Sequence, residues 1–165
     1  MATDIPPGER MTRRFWAKVD TSGGPDACWP WVGYTAKNGY GQFRVGSEKD
    51  GSARAAYAHR VAWELTFGQI PDGVEIDHVC HNVDSSCPGG KGCAHRRCCN
   101  PRHMEPTSHE TNTMRGRAFS AVNARKTHCP KGHRYDHVER CSGTRRCSTC
   151  RNEQYRRRYA AKKVA

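Results

Sequence analysis

Apolar side chains with helical spacing predict a helix in the first half of the chain. They recur at i, i+3, i+4 and i+7, the spacing of one helical face, at Ala58, Val61, Ala62 and Leu65. We therefore expect a helix over residues 55–65, with Gly68 ending it. A second, shorter helix is predicted over residues 13–19, whose aromatic residues would dock it on the rest of the fold.

Two short segments flanking a glycine-containing turn indicate a hairpin. Residues 31–34 and 41–45 would be its strands, and Asn38-Gly39 has the turn chemistry that joins such strands. Gln42 and Arg44 alternate with an apolar residue, so both polar side chains would share one face of the ribbon. Such a ribbon can enter the major groove of DNA, where Gln and Arg read base edges. A solvated, exposed face is the alternative.

One strand and two helices are predicted after residue 73. Residues 74–80 are predicted to form a strand. Thr107-Ser108-His109-Glu110 offers a hydroxyl followed within three residues by an acid, which predicts the start of a helix that runs to about Arg117. Residues 151–163 are predicted to form a basic helix.

The composition suggests that metal ions supplement a modest core. Only 35% of the 165 residues are hydrophobic, and ten are cysteines. A secreted disulfide scaffold is one explanation, but residues 1–20 contain no apolar signal segment, and no apolar run is long enough to span a membrane. Cysteines paired with histidines at short spacings therefore favour zinc in a reducing, intracellular compartment.

The positive charge is concentrated in the last third of the chain. The net charge is +12; residues 1–112 hold 13 Lys and Arg against 13 Asp and Glu, whereas residues 113–165 hold the remaining 15 against 3. A basic segment of this kind attracts polyanions through phosphate contacts. The candidate DNA-contacting side chains of the terminal helix are Arg151, Arg156, Arg157 and Arg158. A solubilising tail is the alternative.

Hard and soft ligands lie close together in the middle of the chain. His78 is a candidate general base, and the oxygen donors Asp77 and Asn112 suit Mg²⁺ or Mn²⁺. In a regular strand, however, Asp77 and His78 would point to opposite faces. The soft ligands Cys80, Cys98 and His103 suit a structural zinc, with Cys28 or Cys99 as the fourth ligand.

A second soft-ligand set lies near the C-terminus. Its two pairs, C-x₃-H and C-x₂-C, are the four zinc ligands Cys129, His133, Cys147 and Cys150. Cys141 remains as a spare thiol. Two structural zinc sites are therefore expected.

The central motif resembles the HNH, or His-Me finger, endonucleases of the zinc-bearing phage and homing type. The likeness rests on Asp77-His78, on Asn100-Pro101 with His103, and on Asn112 near Arg115, and it covers residues 28–117. The resemblance implies His78 as the base, Asp77 and Asn112 as ligands of a catalytic cation, and Asn100 as the residue that fixes the loop orienting the base. It also implies that Cys80, Cys98 and His103, with Cys28, hold a structural zinc.

The sequence departs from the compact form of this motif by an insertion. Residues 84–95 separate Cys80 from Cys98 and contribute three further soft ligands, Cys87, Cys93 and His95. These residues are candidates for an additional zinc site.

The resemblance implies an α+β fold, a small zinc-stapled ββα-metal domain followed by a zinc-bound basic module. The expected organisation is an arm with a short helix over residues 1–27, the HNH domain over 28–118, and a linker, zinc module and basic helix over 119–165.

The expected function is a phage or homing-type DNA endonuclease. His78 would activate water and Arg115 would contact phosphate, giving 5′-phosphate and 3′-hydroxyl ends on double-stranded DNA. Cutting both strands would need a homodimer or two successive nicks. The alternative is a non-catalytic, zinc-dependent DNA-binding protein.

Overall fold

A computed structural model describes residues 8–116 and 119–164. Helices alternate with three two-stranded sheets, so the predicted α+β class is confirmed. Contacts within the chain separate two compact units, residues 1–118 and residues 119–165. No helix in the described part of the chain combines the length and apolar character needed to cross a bilayer.

The first unit contains four α-helices and four strands within its described residues. In chain order these are α1 (Glu9–Trp16), β1 (Gln42–Val45), β2 (Arg54–Tyr57), α2 (Ala58–Phe67), β3 (Val74–His78), α3 (Val79–Val83), β4 (Met104–Ser108) and α4 (His109–Arg115); short 3₁₀ turns span Gly90–Gly92, Ala94–Arg97 and Pro101–His103. Both sheets of this unit are antiparallel. Gln42 pairs with Tyr57 in the first, and His78 pairs with Met104 in the second.

An aromatic cluster forms the centre of the core of this unit. The Phe15 ring lies 5.3 Å from both the Trp31 and the Phe43 ring centroids, stacked on the first and edge-on to the second. All three side chains are buried, as are Val61 and Ala62 of α2. The core therefore joins α1 to β1 and α2, and burial of these rings supplies much of the unit's hydrophobic stabilisation.

The predicted hairpin between residues 31–34 and 41–45 is wrong, because β1 pairs with β2 instead. The chain turns back between these segments, with an isolated bridge between Thr35 and Gly41 and a 2.8 Å hydrogen bond from the Gln42 amide to the Tyr34 carbonyl, but residues 31–34 form no strand. The Trp31 ring packs directly on Gly41, where an added Cβ would lie 2.5 Å from the ring. In addition, the Trp31 amide donates to the Arg97 carbonyl at 2.8 Å, so Trp31 forms its backbone hydrogen bond outside the predicted hairpin.

The boundaries of three other predicted elements shift. Helix α2 starts at Ala58 rather than at residue 55, because the preceding residues extend to pair with β1. Strand β3 ends at His78, two residues early, because α3 begins there. Helix α4 begins after the predicted cap, with the Ser108 hydroxyl accepting from the Thr111 amide at 3.1 Å; its predicted end near Arg117 lies outside the described residues.

The second unit contains a helix where a linker was expected. It comprises α5 (Phe119–Arg125), β5 (His137–Val138), β6 (Arg145–Arg146) and α6 (Ser148–Val164). The Arg145 guanidinium donates to backbone carbonyls at the end of α5, namely those of Asn123, Ala124 and Lys126. These bonds cap the helix end and hold it against the β5–β6 hairpin.

Truncating Phe15 should destabilise the first unit strongly. Phe15 is fully buried between two aromatic rings. Phe15→Ala should lower the free energy of unfolding by about 3–5 kcal/mol, because it leaves a cavity in the core. Phe67→Ala is the matched control; its side chain is 58% exposed, and it should cost about 1 kcal/mol or less. Chemical denaturation measures both, and equal losses would contradict the core assignment.

Candidate active site and metal clusters

Asp77 and His78 line one cavity of about 390 Å³, together with Asn82 and Asn112. The sequence argument placed the first two on opposite faces of a regular strand. The strand ends at His78, whose ψ of 94° leads into α3, so strict alternation stops at this point. The three residues expected to perform the chemistry therefore border a common space.

The hydrogen bond of His78 determines which ring nitrogen is basic. Its Nε2 lies 3.1 Å from the Cys98 carbonyl oxygen. Because a carbonyl only accepts, Nε2 carries the proton and Nδ1 keeps its lone pair. Burial lowers the pKa of His78 below its ordinary value, so the ring is neutral near pH 7. A neutral imidazole with a defined tautomer is the form that a general base requires.

Two further rings pack against His78. His59 lies 4.8 Å away between ring centroids, and Tyr40 lies 6.3 Å away. His59 is buried, and its Nδ1 has no hydrogen-bond partner among the described residues. No role for His59 was predicted from the sequence; its position one turn before buried Ala62 was the available signal.

The two proposed oxygen ligands are each held by neighbours. Asn82 donates from Nδ2 to Asp77 Oδ2 at 2.6 Å. Asn112 donates from Nδ2 to Glu75 Oε2 at 2.6 Å, which leaves the Asn112 amide oxygen as an acceptor. These donors also explain why the pKa of Glu75 is lowered, first by Asn112 and then by His109. Glu75 was missed by the sequence analysis, although it shares a strand face with Asp77 at i, i+2.

Arg115 is positioned by two carboxylates. Its guanidinium donates to Glu105 through both terminal nitrogens, at 2.9 and 3.1 Å, and lies 3.6 Å from Asp77 Oδ2. The sequence analysis proposed it as a phosphate contact. It lies beside the cavity but is ion-paired within the chain.

Asn100 joins two loops near the cavity. It is fully buried, and its Nδ2 donates to the carbonyls of Pro25 and Ala27 at 2.9 and 2.7 Å. Its Oδ1 accepts from the Arg102 amide at 3.0 Å. The Asn100 side chain therefore fixes the segment before Cys28 against the turn that follows Asn100.

Cys28, Cys80, Cys98 and His103 come together as one group, whose ligand atoms all lie within 4.8 Å of one another. The Cys28 and Cys98 sulfurs lie 3.5 and 3.7 Å from His103 Nδ1. Cys28 rather than Cys99 completes the set, because Cys99 is buried in the apolar core. The pKa of Cys98 is lowered to about 4, chiefly by the Cys80 thiol, which favours the thiolate that binds zinc.

Cys129, His133, Cys147 and Cys150 form a second such group in the second unit. Cys129 Sγ lies 3.7 Å from both Cys150 Sγ and His133 Nδ1. Cys141 is exposed and lies outside every Cys/His group found among the described residues.

These separations fit tetrahedral zinc. Zinc–sulfur bonds of about 2.3 Å and zinc–nitrogen bonds of about 2.0–2.1 Å give edges of about 3.8 Å between sulfurs and about 3.6 Å between sulfur and nitrogen. The observed separations run from 3.3 Å, between His133 Nδ1 and Cys150 Sγ, to 3.7 Å, and lie close to those edges. Both groups could therefore hold zinc.

The insertion ligands also meet, with a partner that the sequence analysis missed. Cys87, Cys93 and His95 form a third group that includes His81. The signal was an even spacing, since six positions separate His81 from Cys87 and six separate Cys87 from Cys93.

The predicted DNA-contacting residues are spread over both units. Arg44 is exposed on β1 and pairs with Glu48, while Gln42 is half-buried. Arg151, Arg156, Arg157 and Arg158 are exposed on α6.

Residues 56–84 match the family model described as HNH endonuclease. The matched segment contains α2, β3 and the Asp77-His78 pair. The predicted resemblance to HNH endonucleases is thereby confirmed.

Two phage proteins are also similar to the chain. The "Uncharacterized gene 5.3 protein" of Enterobacteria phage T3 is 36% identical over 69 residues, which cover 42% of this chain and 55% of that protein. "Protein 2.8" of Escherichia phage T7 is 30% identical over 96 residues, covering 58% of this chain and 49% of that protein. The chain thus spans about half the length of these relatives. No solved structure gives a significant match.

Acidification should destabilise the protein through His59. Burial, followed by the charges of His78 and Arg60, holds the pKa of His59 well below its ordinary value of 6.5. Below pH 6.5 the unfolded chain therefore binds a proton that the folded chain does not. The free energy of unfolding should therefore decrease as the pH is lowered below this value. For this one proton the decrease is up to about 1.4 kcal/mol per pH unit.

Denaturant titrations of wild type and His59→Gln, at pH values on either side of 6.5, measure the effect. The variant should show the shallower slope, since the zinc ligands are common to both proteins. Identical slopes would contradict the buried, neutral state of His59.

Proposed function

We propose that this protein is a metal-dependent DNA endonuclease in which His78 is the general base. The observation that carries the proposal is the convergence of Asp77, His78 and Asn112 on one cavity, with the proton of His78 fixed on Nε2 by a carbonyl. His78 Nδ1 would accept a proton from water as that water attacks the phosphorus.

The oxygen donors at the cavity fit a hard divalent cation. Asp77 would contribute a carboxylate and Asn112 its amide oxygen, which remains an acceptor because Glu75 binds the amide nitrogen. Mg²⁺ or Mn²⁺ bound there supplies positive charge for the phosphate and the departing 3′ oxygen. The expected ends are a 5′-phosphate and a 3′-hydroxyl.

The neighbouring residues support this arrangement. Asn82 orients the Asp77 carboxylate through a 2.6 Å hydrogen bond, and Glu105 holds Arg115 3.6 Å from the same carboxylate. We infer that a DNA phosphate at the cavity would draw Arg115 into contact with it. Asn100 would act as a positioning residue, because the loops it joins carry Cys98, whose carbonyl holds His78.

The second unit supplies an electrostatic surface for DNA. The net charge of +12 arises wholly after residue 112, and the exposed arginines of α6 suit phosphate contacts that do not depend on sequence. Double-stranded DNA is the proposed substrate, cut by a homodimer or by two successive nicks.

Wild-type protein should convert supercoiled plasmid to nicked or linear forms in Mg²⁺ or Mn²⁺. His78→Ala should lower the cleavage rate by about 100-fold or more, because the general base is lost. His137→Ala, an exposed histidine on β5, is the matched control and should retain the wild-type rate. Nicks should be resealed by DNA ligase, which requires a 5′-phosphate beside a 3′-hydroxyl.

Circular dichroism and zinc content must be equal in the three proteins for the rates to be compared. Equal cleavage by wild type and His78→Ala would remove His78 from the mechanism. Plasmid that stays intact with every metal, while the protein still binds DNA, would favour the zinc-dependent DNA-binding alternative.

A further inference from the structure

The insertion over residues 84–95 has little to hold it in shape other than its cysteines and histidines. It contains no large apolar side chain, and its regular structure is limited to the 3₁₀ turn Gly90–Gly92 and the start of the 3₁₀ turn Ala94–Arg97. Two of its local backbone hydrogen bonds are long, 3.4 Å from Cys87 to Asp84 and 3.3 Å from Cys93 to Gly90. Nevertheless, the side chains of Cys87 and Cys93 are only 7% and 5% exposed.

Cys93 lies at the centre of a four-residue group that closes the insertion. Its sulfur is 3.5 Å from Cys87 Sγ, 3.5 Å from His81 Nδ1 and 3.6 Å from His95 Nδ1. These distances approach tetrahedral zinc edges of about 3.8 Å for sulfur pairs and about 3.6 Å for sulfur–nitrogen pairs. Both imidazoles direct the same ring nitrogen at one sulfur, which a hydrophobic or hydrogen-bonded core would not require.

A carboxylate stands behind one of these histidines. Asp84 Oδ2 lies 3.6 Å from His95 Nε2, the nitrogen that does not face the sulfur. A carboxylate behind the second nitrogen of a metal-binding histidine is a common arrangement, because it fixes the tautomer that leaves the ligand nitrogen free. The group thus has four soft ligands and an outer partner.

We propose that His81, Cys87, Cys93 and His95 form a third, structural zinc site, and that this site holds one wall of the cavity that contains Asp77 and His78. Two thiolates and two imidazoles close the tetrahedron, so no position remains for water or substrate. The site is therefore structural rather than catalytic.

The zinc-bound insertion would form part of the wall of the cavity that contains the proposed catalytic residues. His81, Pro88, Gly89 and Cys93 line the same cavity as Asp77 and His78. His81 also lies on α3, immediately after the strand that carries these two residues.

The insertion is docked on the turn at residues 38–40. The guanidinium of Arg96, the residue that follows the insertion, lies 4.9 Å from the centre of the Tyr40 ring and also donates to the Asn38 carbonyl. An added Cβ at Gly39 would lie 2.4 Å from the Lys91 carbonyl oxygen, so the two backbones are in direct contact. Because Tyr40 packs near His78, loss of the zinc would loosen the wall on both sides of the proposed base.

Metal analysis of the purified full chain tests the site directly. Native mass spectrometry, with elemental analysis for zinc, should find three zinc ions per chain in the wild type. Cys93→Ser should hold two, because one ligand of the third site is lost. Cys141→Ser is the matched control, since Cys141 is exposed and outside the three groups, and it should hold three.

Limited trypsin digestion gives a second readout from the same proteins. Lys91 is exposed within the insertion, and cleavage after it should be at least about tenfold faster in Cys93→Ser, because an unfolded loop is cut more readily. Cys141→Ser should be cut at the wild-type rate. Should Cys93→Ser prove insoluble, His95→Ala keeps all the thiols and should also hold two zinc ions.

Three results would overturn the site. They are two zinc ions in the wild type, three in both ligand variants, or a Cys87–Cys93 disulfide in the protein as purified. The role in the cavity wall rests on the proposed function, but neither readout involves DNA cleavage. An inactive protein with three zinc ions would therefore support this site while contradicting the nuclease.

Discussion

Cys98 links the first Cys/His group to the proposed base through two of its own atoms. Its sulfur lies 3.7 Å from His103 Nδ1 within that group, and its carbonyl oxygen lies 3.1 Å from His78 Nε2. The carbonyl fixes the protonated nitrogen of His78, so the position of the Cys98 backbone decides which nitrogen is basic. That backbone is held in turn by Trp29, whose carbonyl accepts from the Cys99 amide at 2.8 Å, and by the neighbouring Asn100 side chain.

This linkage explains why a chain with a modest apolar core can present a precise site. The aromatic centre of the first unit orders α1, β1 and α2, whereas the loops that carry Cys28, Cys98 and His103 add little to this core beyond Trp31 and Cys99. Short loops of this kind lose much conformational entropy on folding, and metal coordination offsets that cost where apolar burial does not. The same reasoning applies to the second unit, where α6 exposes nearly all of its side chains.

Local patterns in the sequence were sufficient to place several elements. The apolar face of α2, the strand leading to His78 and the Ser108 cap of α4 depend on neighbouring residues alone, and the structure contains each of them. The ligands of the C-terminal group were also recognisable, because each pair falls within a few residues.

What could not be predicted depends on contacts between distant segments. Strand β1 pairs with β2, and the Trp31 ring packs on Gly41; the turn motif at Asn38-Gly39 reveals neither contact. Glu75 acquires its place only when α4 brings Asn112 to β3, 37 positions away in sequence. His81 becomes a candidate ligand only when the insertion folds back over α3.

The most direct test of this account is thermal unfolding of the full chain before and after treatment with a strong zinc chelator. The account predicts that chelation abolishes the cooperative transition of the first unit and shifts tryptophan emission to longer wavelength, because Trp29 and Trp31 adjoin the loop that carries Cys28. Cys80→Ser should show the same loss without chelator. An unchanged melting curve and emission spectrum in the zinc-free protein would contradict the claim that soft-ligand groups hold His78 in its working geometry.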